Sequence, residues 1–330
     1  QGGVGGNGGG ACGRYVSARL WAIPVFLAHA EVSVLKSVGG KQLFGFSMHG
    51  SPPPISRLFA LLPRTAPSEP LGACAVVGNG GGLLMGDFGR EIDGHDHVIR
   101  INDAPTGGTF APHVGTRTTH RLVHAQKQIM RFLHSPGGWV DRGYAPERLV
   151  FRGDWEEDHQ KAVALLEAAI DAGGDADTAR ENMRFLSLAF HTFAWELIGF
   201  RGSDSVPTSG ILGILWALQS CETVDTYGFG LPDVLSHLSS RSPGGGGCEG
   251  ETCSVTTDGR TCVDSEQPSP YKYYKPDTDG SPVSGAGSQA PIGAEAHDWK
   301  SEHALLQELE SAGLITRRHP PPRCHPTTSL

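Results

Sequence analysis

Lys and Arg never gather into a run in this 330-residue chain, and the 27 of them are outnumbered by 35 Asp and Glu, for a net charge of −8. A nucleic-acid partner needs a clustered basic face to neutralise phosphates, so that class is excluded and any anionic ligand must be caught locally. Apolar runs long enough for a membrane are missing: Leu20–Ala30 is too short to span a bilayer and Glu31 closes it, which neither shows nor excludes an anchor. No HExxH accompanies the HxxxH pair His120 and His124, which sit in a strand-like run, so zinc there is disfavoured. The glycine pattern of a dinucleotide fold is also incomplete. Leu83 stands where its last Gly or Ala belongs, and the second strand closes on Arg100, Ile101 and Asn102 instead of an acid, which disfavours an NAD-dependent oxidoreductase. The seven cysteines are odd in number and Cys12 lies in a low-complexity segment, so no complete pairing can be read.

Glycine and proline are plentiful, 46 and 23 residues, and they concentrate in residues 1–10, 51–70, 241–250 and 280–293. Such stretches suit linkers and loops around a core shorter than the chain, hence a single domain with irregular extensions. Residues 1–70 read as a stem or low-complexity region, 71–318 as the domain, and 319–330, rich in proline, as a disordered tail. Cys248, Cys253 and Cys262 crowd a polar Gly-rich stretch, a setting that suits disulfides in an oxidising compartment better than zinc or free thiols.

Structure begins at Cys74-Ala-Val-Val, a buried-strand pattern that stops at the turn Gly78-Asn79-Gly80-Gly81-Gly82. Further apolar runs at His97–Ile101, Arg121–His124, Leu149–Phe151, Arg184–Ala189 and Thr223–Phe229 read as strands. Helical spacing marks Gln160–Ala172, His191–Gly199, Ile211–Ser220 and Ser301–Ser311. Alternating strands and helices predict an α/β fold with a mostly parallel sheet, and ligands of such sheets sit beyond the carboxyl ends of the strands.

Each chemical signal is weak alone. The Gly78–Gly82 loop lets backbone approach a ligand closely. Pro207-Thr208-Ser209-Gly210 puts two hydroxyls and free N–H groups at a helix start, an anion site in form, although an ordinary N-cap explains the same residues and is favoured in isolation. His297-Asp298-Trp299 enters the last helix with Glu302 behind it, which suits a general base, as would any of the fifteen His. Asp277-Thr-Asp279 has the form of a metal clamp, but a turn is the better reading in its Pro/Gly-rich setting.

Their order is what is specific. Cys74-Ala-Val-Val-Gly-Asn79, Gly89-Arg-Glu-Ile-Asp93, Val98-Ile-Arg-Ile-Asn102 and Val114-Gly-Thr-Arg-Thr-Thr-His120 form one block. Pro207-Thr-Ser-Gly-Ile211 through Cys221 to Asp225-Thr-Tyr-Gly-Phe-Gly230 form a second, and His297-Asp298 with Glu302 a third. Together they resemble the motifs of the eukaryotic sialyltransferase family, glycosyltransferase family 29. Two positions depart from it. Gly80 stands where a Ser is usual, and the third motif is represented by Tyr271-Lys272-Tyr273-Tyr274-Lys275, with Lys272 aligned to the usual His, Tyr271 the other choice, and the acid missing.

The resemblance implies a Rossmann-like, GT-A-like variant of the α/β fold in one catalytic domain. It implies an inverting transfer of sialic acid from CMP-sialic acid to a glycan hydroxyl on a glycoprotein or glycolipid, with no cofactor and no metal, so that Asp277 and Asp279 are dispensable. His297 would be the general base, with Asp298 and Glu302 in support. CMP would be held by Asn79, Gly80, Asn102, Thr208, Ser209, Gly210, Lys272 and Tyr273, and a disulfide would join Cys74 to Cys221. It also implies a Golgi-lumenal catalytic domain of a type II membrane protein. The departures keep two alternatives open, a CMP-Kdo-dependent transferase of the same fold and a catalytically inactive glycan-binding protein.

Overall fold

The computed structural model describes residues 71–124, 130, 133–134, 147–152, 156–172, 175–199, 205–230, 254–257, 260–263, 297–319 and 323–326. Strand β1 (Leu71–Val77) leads through a 3₁₀ turn and helix α1 (Gly89–Asp93) into β2 (His97–Ile101). Helix α2 (Ala111–Val114) precedes β3 (His120–His124), followed by β4 (Arg148–Arg152), α3 (Glu156–Asp171), α4 (Ala176–Glu181) and β5 (Met183–Phe185). Next come α5 (Leu188–Gly199), α6 (Ser209–Ser220), β6 (Cys221–Tyr227), β7 (Ser254–Thr257) and β8 (Arg260–Val263). Helix α7 (Trp299–Ser311), β9 (Thr316–Arg318) and β10 (Arg323–Pro326) complete the order.

Seven strands pair in parallel in the order β5-β4-β3-β2-β1-β6-β9, and β10-β8-β7 form a separate antiparallel sheet. Cys74 to Val77 are all buried, as a central strand covered on both faces must be. Alternation divides them. Val76 joins Ile99, Leu122 and Val150 under α5, α6 and α7, while Ala75 and Val77 join Val98 and Tyr227 under Phe88, Ile92 and Val114. A third cluster packs Leu149, Phe151 and Phe185 against α3 through Ala162, Leu165 and Leu166. Helix α6 is buried continuously from Ile211 to Ala217, which is why it is apolar all round. The Cys74–Cys221 disulfide closes 147 residues and ties β1 to the start of β6 with Cα atoms 6.0 Å apart.

Two expectations are corrected here. The run Arg184–Ala189 is not one strand: β5 ends at Phe185, and α5 begins at Leu188, where Ser187 Oγ accepts a hydrogen bond from Phe190 N at 3.1 Å. A buried strand and a buried helix are both apolar throughout, so the run alone could not show the switch. Residues 323–326 form β10 inside the tail expected to be disordered, and their register sets Cys324 opposite Cys262 in β8. Because β10 pairs with a strand far upstream, no local pattern announced it.

Candidate active site

The strand order reverses at β1, whose neighbours are β2 on one side and β6 on the other. This is the place where an open parallel sheet leaves a crevice beyond its carboxyl edge. Gly78 N donates to Tyr227 O at 2.8 Å and Gly80 N to Gly228 O at 3.1 Å, so the loops after β1 and β6 are laced together there. A cleft between them is lined by Gly80, Gly82, Leu83, Gly228, Phe229 and Arg318. A Cβ on Gly80 would lie 2.6 Å from Gly228 O, so only glycine permits this approach. Asn79 Oδ1, on the same loop, is buried with no hydrogen-bond partner within the protein.

Asn102 follows β2 with φ +54°. The buried Arg121 fixes that turn by donating from Nη1 to Asn102 O at 2.6 Å and Ala104 O at 3.1 Å, while its Nε meets Glu147. Asn102 Oδ1 accepts from His124 N at 3.0 Å, which leaves Nδ2 as the donor end of its amide.

The start of α6 stands over the same edge. Thr208 is its N-cap, with Oγ1 accepting from Ile211 N at 3.2 Å. Gly210 is tight against Phe229, whose Cε1 would be 2.8 Å from a Cβ at 210. On the other side, Ser209 Oγ lies 3.4 Å from Nη1 of Arg152, the last residue of β4. Thr208 donates to Glu302 twice, from N to Oε1 at 2.7 Å and from Oγ1 to Oε2 at 2.8 Å, which locks α7 to α6. Burial pushes the Glu302 carboxyl up to about 7, against the opposing pull of those hydrogen bonds and of the Arg152 charge.

His297 precedes α7, and its Nδ1 lies 2.7 Å from Val206 O. A carbonyl only accepts, so Nδ1 carries the proton, and in the neutral ring Nε2 is the basic nitrogen. The ring packs edge-on to Trp299 at 5.6 Å. Asp298 caps α7, accepting from Ser301 N at 3.0 Å and Ser301 Oγ at 2.7 Å.

Contacts therefore join Gly80 to Gly228, Phe229 to Gly210, Thr208 to Glu302 and His297 to the carbonyl two residues before Thr208. Lys272, Tyr273, Asp277 and Asp279 lie outside the described residues, as do Cys12, Cys248 and Cys253. His120 and His124 open and close β3, about 13 Å apart at strand rise, too far to share a metal. His120 is buried against Trp216 and His97, and burial with the His97 and Arg148 charges pushes it down to about 3. No group of three His, Cys, Asp or Glu among the described residues could hold a metal ion, and no described helix is long and apolar enough to cross a membrane. Sequence reasoning missed Arg152; the only signal was a charged residue closing a buried apolar strand.

The model of glycosyltransferase family 29 (sialyltransferase) matches residues 35–241, starting inside the segment read as a stem and ending before His297. Human CMP-N-acetylneuraminate-beta-galactosamide-alpha-2,3-sialyltransferase 1 is 31% identical over 157 residues, 48% of this chain and 44% of that protein. Mouse CMP-N-acetylneuraminate-beta-galactosamide-alpha-2,3-sialyltransferase 2 is 27% identical over 195 residues, 56% of this chain and 52% of that one. Sialyltransferase-like protein 2 of Arabidopsis thaliana is 30% identical over 179 residues, 53% and 34% of the two chains. The chain thus spans about half or less of the length of the curated relatives it matches. A crystal structure of a mammalian sialyltransferase aligns over 94% of this chain and 85% of that chain at 20% identity, with a TM-score of 0.45. The chain belongs to glycosyltransferase family 29, the sialyltransferases.

Proposed function

We propose that the chain transfers sialic acid from CMP-sialic acid to a glycan hydroxyl by a single inverting displacement that needs no metal and no cofactor. In this reading CMP occupies the crevice between the β1 and β6 loops, with Asn79 and Gly80 along the nucleoside and Asn102 Nδ2 as a further donor. The phosphate faces the start of α6, where Thr208, Ser209, Gly210 and the positive end of the helix meet its charge. Lys272 and Tyr273 complete the set of residues that the family resemblance assigns to CMP. His297 Nε2 takes the proton of the acceptor hydroxyl as that oxygen attacks the anomeric carbon and CMP leaves. The leaving phosphate needs no proton once its charge is met by hydroxyls and N–H groups.

The observation that carries this reading is the bond from His297 Nδ1–H to Val206 O, which sets the base tautomer and hangs the ring beside the anion-facing helix start. The disulfide between Cys74 and Cys221 supports an oxidising compartment, and the Golgi lumen, with a membrane anchor outside the domain, is where we place it.

His297→Ala should lower turnover by about 10²- to 10⁴-fold, the worth of general-base help, with CMP affinity unchanged. Asn79→Ala should weaken CMP binding. An equal loss of turnover and CMP affinity in His297→Ala would mark a structural histidine and defeat the assignment.

A further inference from the structure

We propose that Arg152 reads the carboxylate of the transferred sugar. This deepens the transferase reading and rests on it. A CMP-sialic acid donor carries two anionic groups, the phosphate and the sugar's own carboxylate, and the residues assigned above account for the first alone.

Arg152 ends β4 and is only 4% exposed, so its guanidinium stands at the carboxyl edge of the sheet inside the fold. Three strand spacings separate β4 from β1, about 14 Å at the usual 4.8 Å per strand. The first turn of α6 bridges that gap, with Gly210 against Phe229 at the crevice and Ser209 Oγ 3.4 Å from Arg152 Nη1 at the far side. A nucleotide lying in the crevice with its phosphate on the helix start therefore sends whatever is attached beyond the phosphate toward Arg152. The planar fork of a guanidinium matches a carboxylate with two parallel donors, where an ammonium would offer only a point charge. The α6 start thus divides the donor's charges: helix N–H groups and hydroxyls on the phosphate, Arg152 on the carboxylate.

The test uses the full disulfide-bonded chain and its Arg152→Gln and Arg152→Lys variants. Calorimetry gives affinities for CMP, for CMP-sialic acid and for the analogue whose sugar carboxylate is a carboxamide; turnover and melting temperature accompany them. Loss of one charge-assisted pair corresponds to about 10- to 100-fold. Arg152→Gln should lose that factor toward CMP-sialic acid, keep its CMP affinity within about twofold, and match the wild type on the carboxamide. Arg152→Lys should fall between. Equal losses toward acid and carboxamide donors would make Arg152 a structural prop, and a matching loss of CMP affinity would put it on the phosphate; either overturns the proposal. Should both variants fail to fold, the wild type must still prefer acid over carboxamide about tenfold, and no preference overturns it too. A wild type that binds CMP but transfers nothing removes the transferase reading without touching these affinities, whereas one that binds neither CMP nor donor removes both.

Discussion

Replacing Glu302 by Gln should change how stability depends on pH, with a sign fixed by its surroundings. Glu302 is buried, and desolvation outweighs its two hydrogen bonds from Thr208, so its folded pKa is about 7 against an ordinary 4.5. Between those values the folded chain holds a proton that the unfolded chain has released. Raising pH through the window therefore costs stability, because the folded state must keep or ionise a buried acid that the unfolded state ionises freely. A gap of that size, at about 1.4 kcal/mol per pH unit, gives roughly 3 kcal/mol between pH 4 and pH 8. Gln cannot ionise; its Oε1 still accepts from Thr208 N, and its Nε2 can donate to Thr208 Oγ1. The unfolding free energy of Glu302→Gln minus that of the wild type should rise by roughly 3 kcal/mol from pH 4 to pH 8. Urea unfolding of both proteins at four pH values measures it, and the subtraction cancels other titrating groups. A difference that stays flat, or falls as pH rises, would mean that the hydrogen bonds from Thr208 outweigh burial and would refute the reasoning.

His120 should act in the opposite sense. Its imidazole is pushed down to about 3, so below its unfolded 6.5 only the unfolded chain takes the proton, and stability should fall toward acid by up to about 1.4 kcal/mol per unit. His120→Phe, which keeps an aromatic ring against Trp216, should remove that slope in the same urea series, and an unchanged slope would contradict the burial argument. Replacing both Cys74 and Cys221 by Ser should cost up to about 5 kcal/mol, the chain-entropy value for a closed loop of 147 residues. An unfolding midpoint unmoved by the double change would show that the bridge constrains little. A chelator, or Asp277→Asn with Asp279→Asn, should leave the transfer rate unchanged, and loss of rate restored by a divalent cation would overturn the metal-free reading.

Strands were legible where both faces of the sheet are covered. Cys74–Val77 and Leu149–Phe151 are continuous apolar runs, and His97–Ile101 is apolar at three of its five positions, because layers pack on either side of them. The start of α6 was legible as a Thr cap before an apolar helix, and the distant residues of the crevice only through the order of the motifs. Thr316–Arg318 was not expected as a strand, since three polar residues become one only by pairing with β6. The Glu302–Thr208 and Arg152–Ser209 contacts were equally hidden, spanning 94 and 57 residues. The sequence offers His297 as a candidate base, but which of its nitrogens holds the proton depends on the Val206 carbonyl, and no sequence pattern carries that.

Gly80 sits where the loops after β1 and β6 meet. It stands where the family resembled has Ser, and in isolation the change reads as one lost hydroxyl. In the fold, a Cβ there would lie 2.6 Å from the Gly228 oxygen and 3.2 Å from its carbon, and a backbone carbonyl cannot swing aside as a flexible side chain could. The missing side chain is instead the condition for the bond from Gly80 N to Gly228 O. The β1–β6 pair is then fastened covalently near its base by Cys74 and Cys221, and by loop hydrogen bonds at its mouth. In the transferase reading, loops fastened in this way hold Asn79 in one arrangement before the nucleotide arrives, which lowers the ordering cost of binding. The His297 side is braced differently, through Glu302 on Thr208 and Val206 on His297, so it moves only if α6 and α7 move together. In the transferase reading, the departure at Gly80 therefore bears on the nucleotide side alone, and the bonds of Glu302 to Thr208 and of His297 to Val206 do not depend on it.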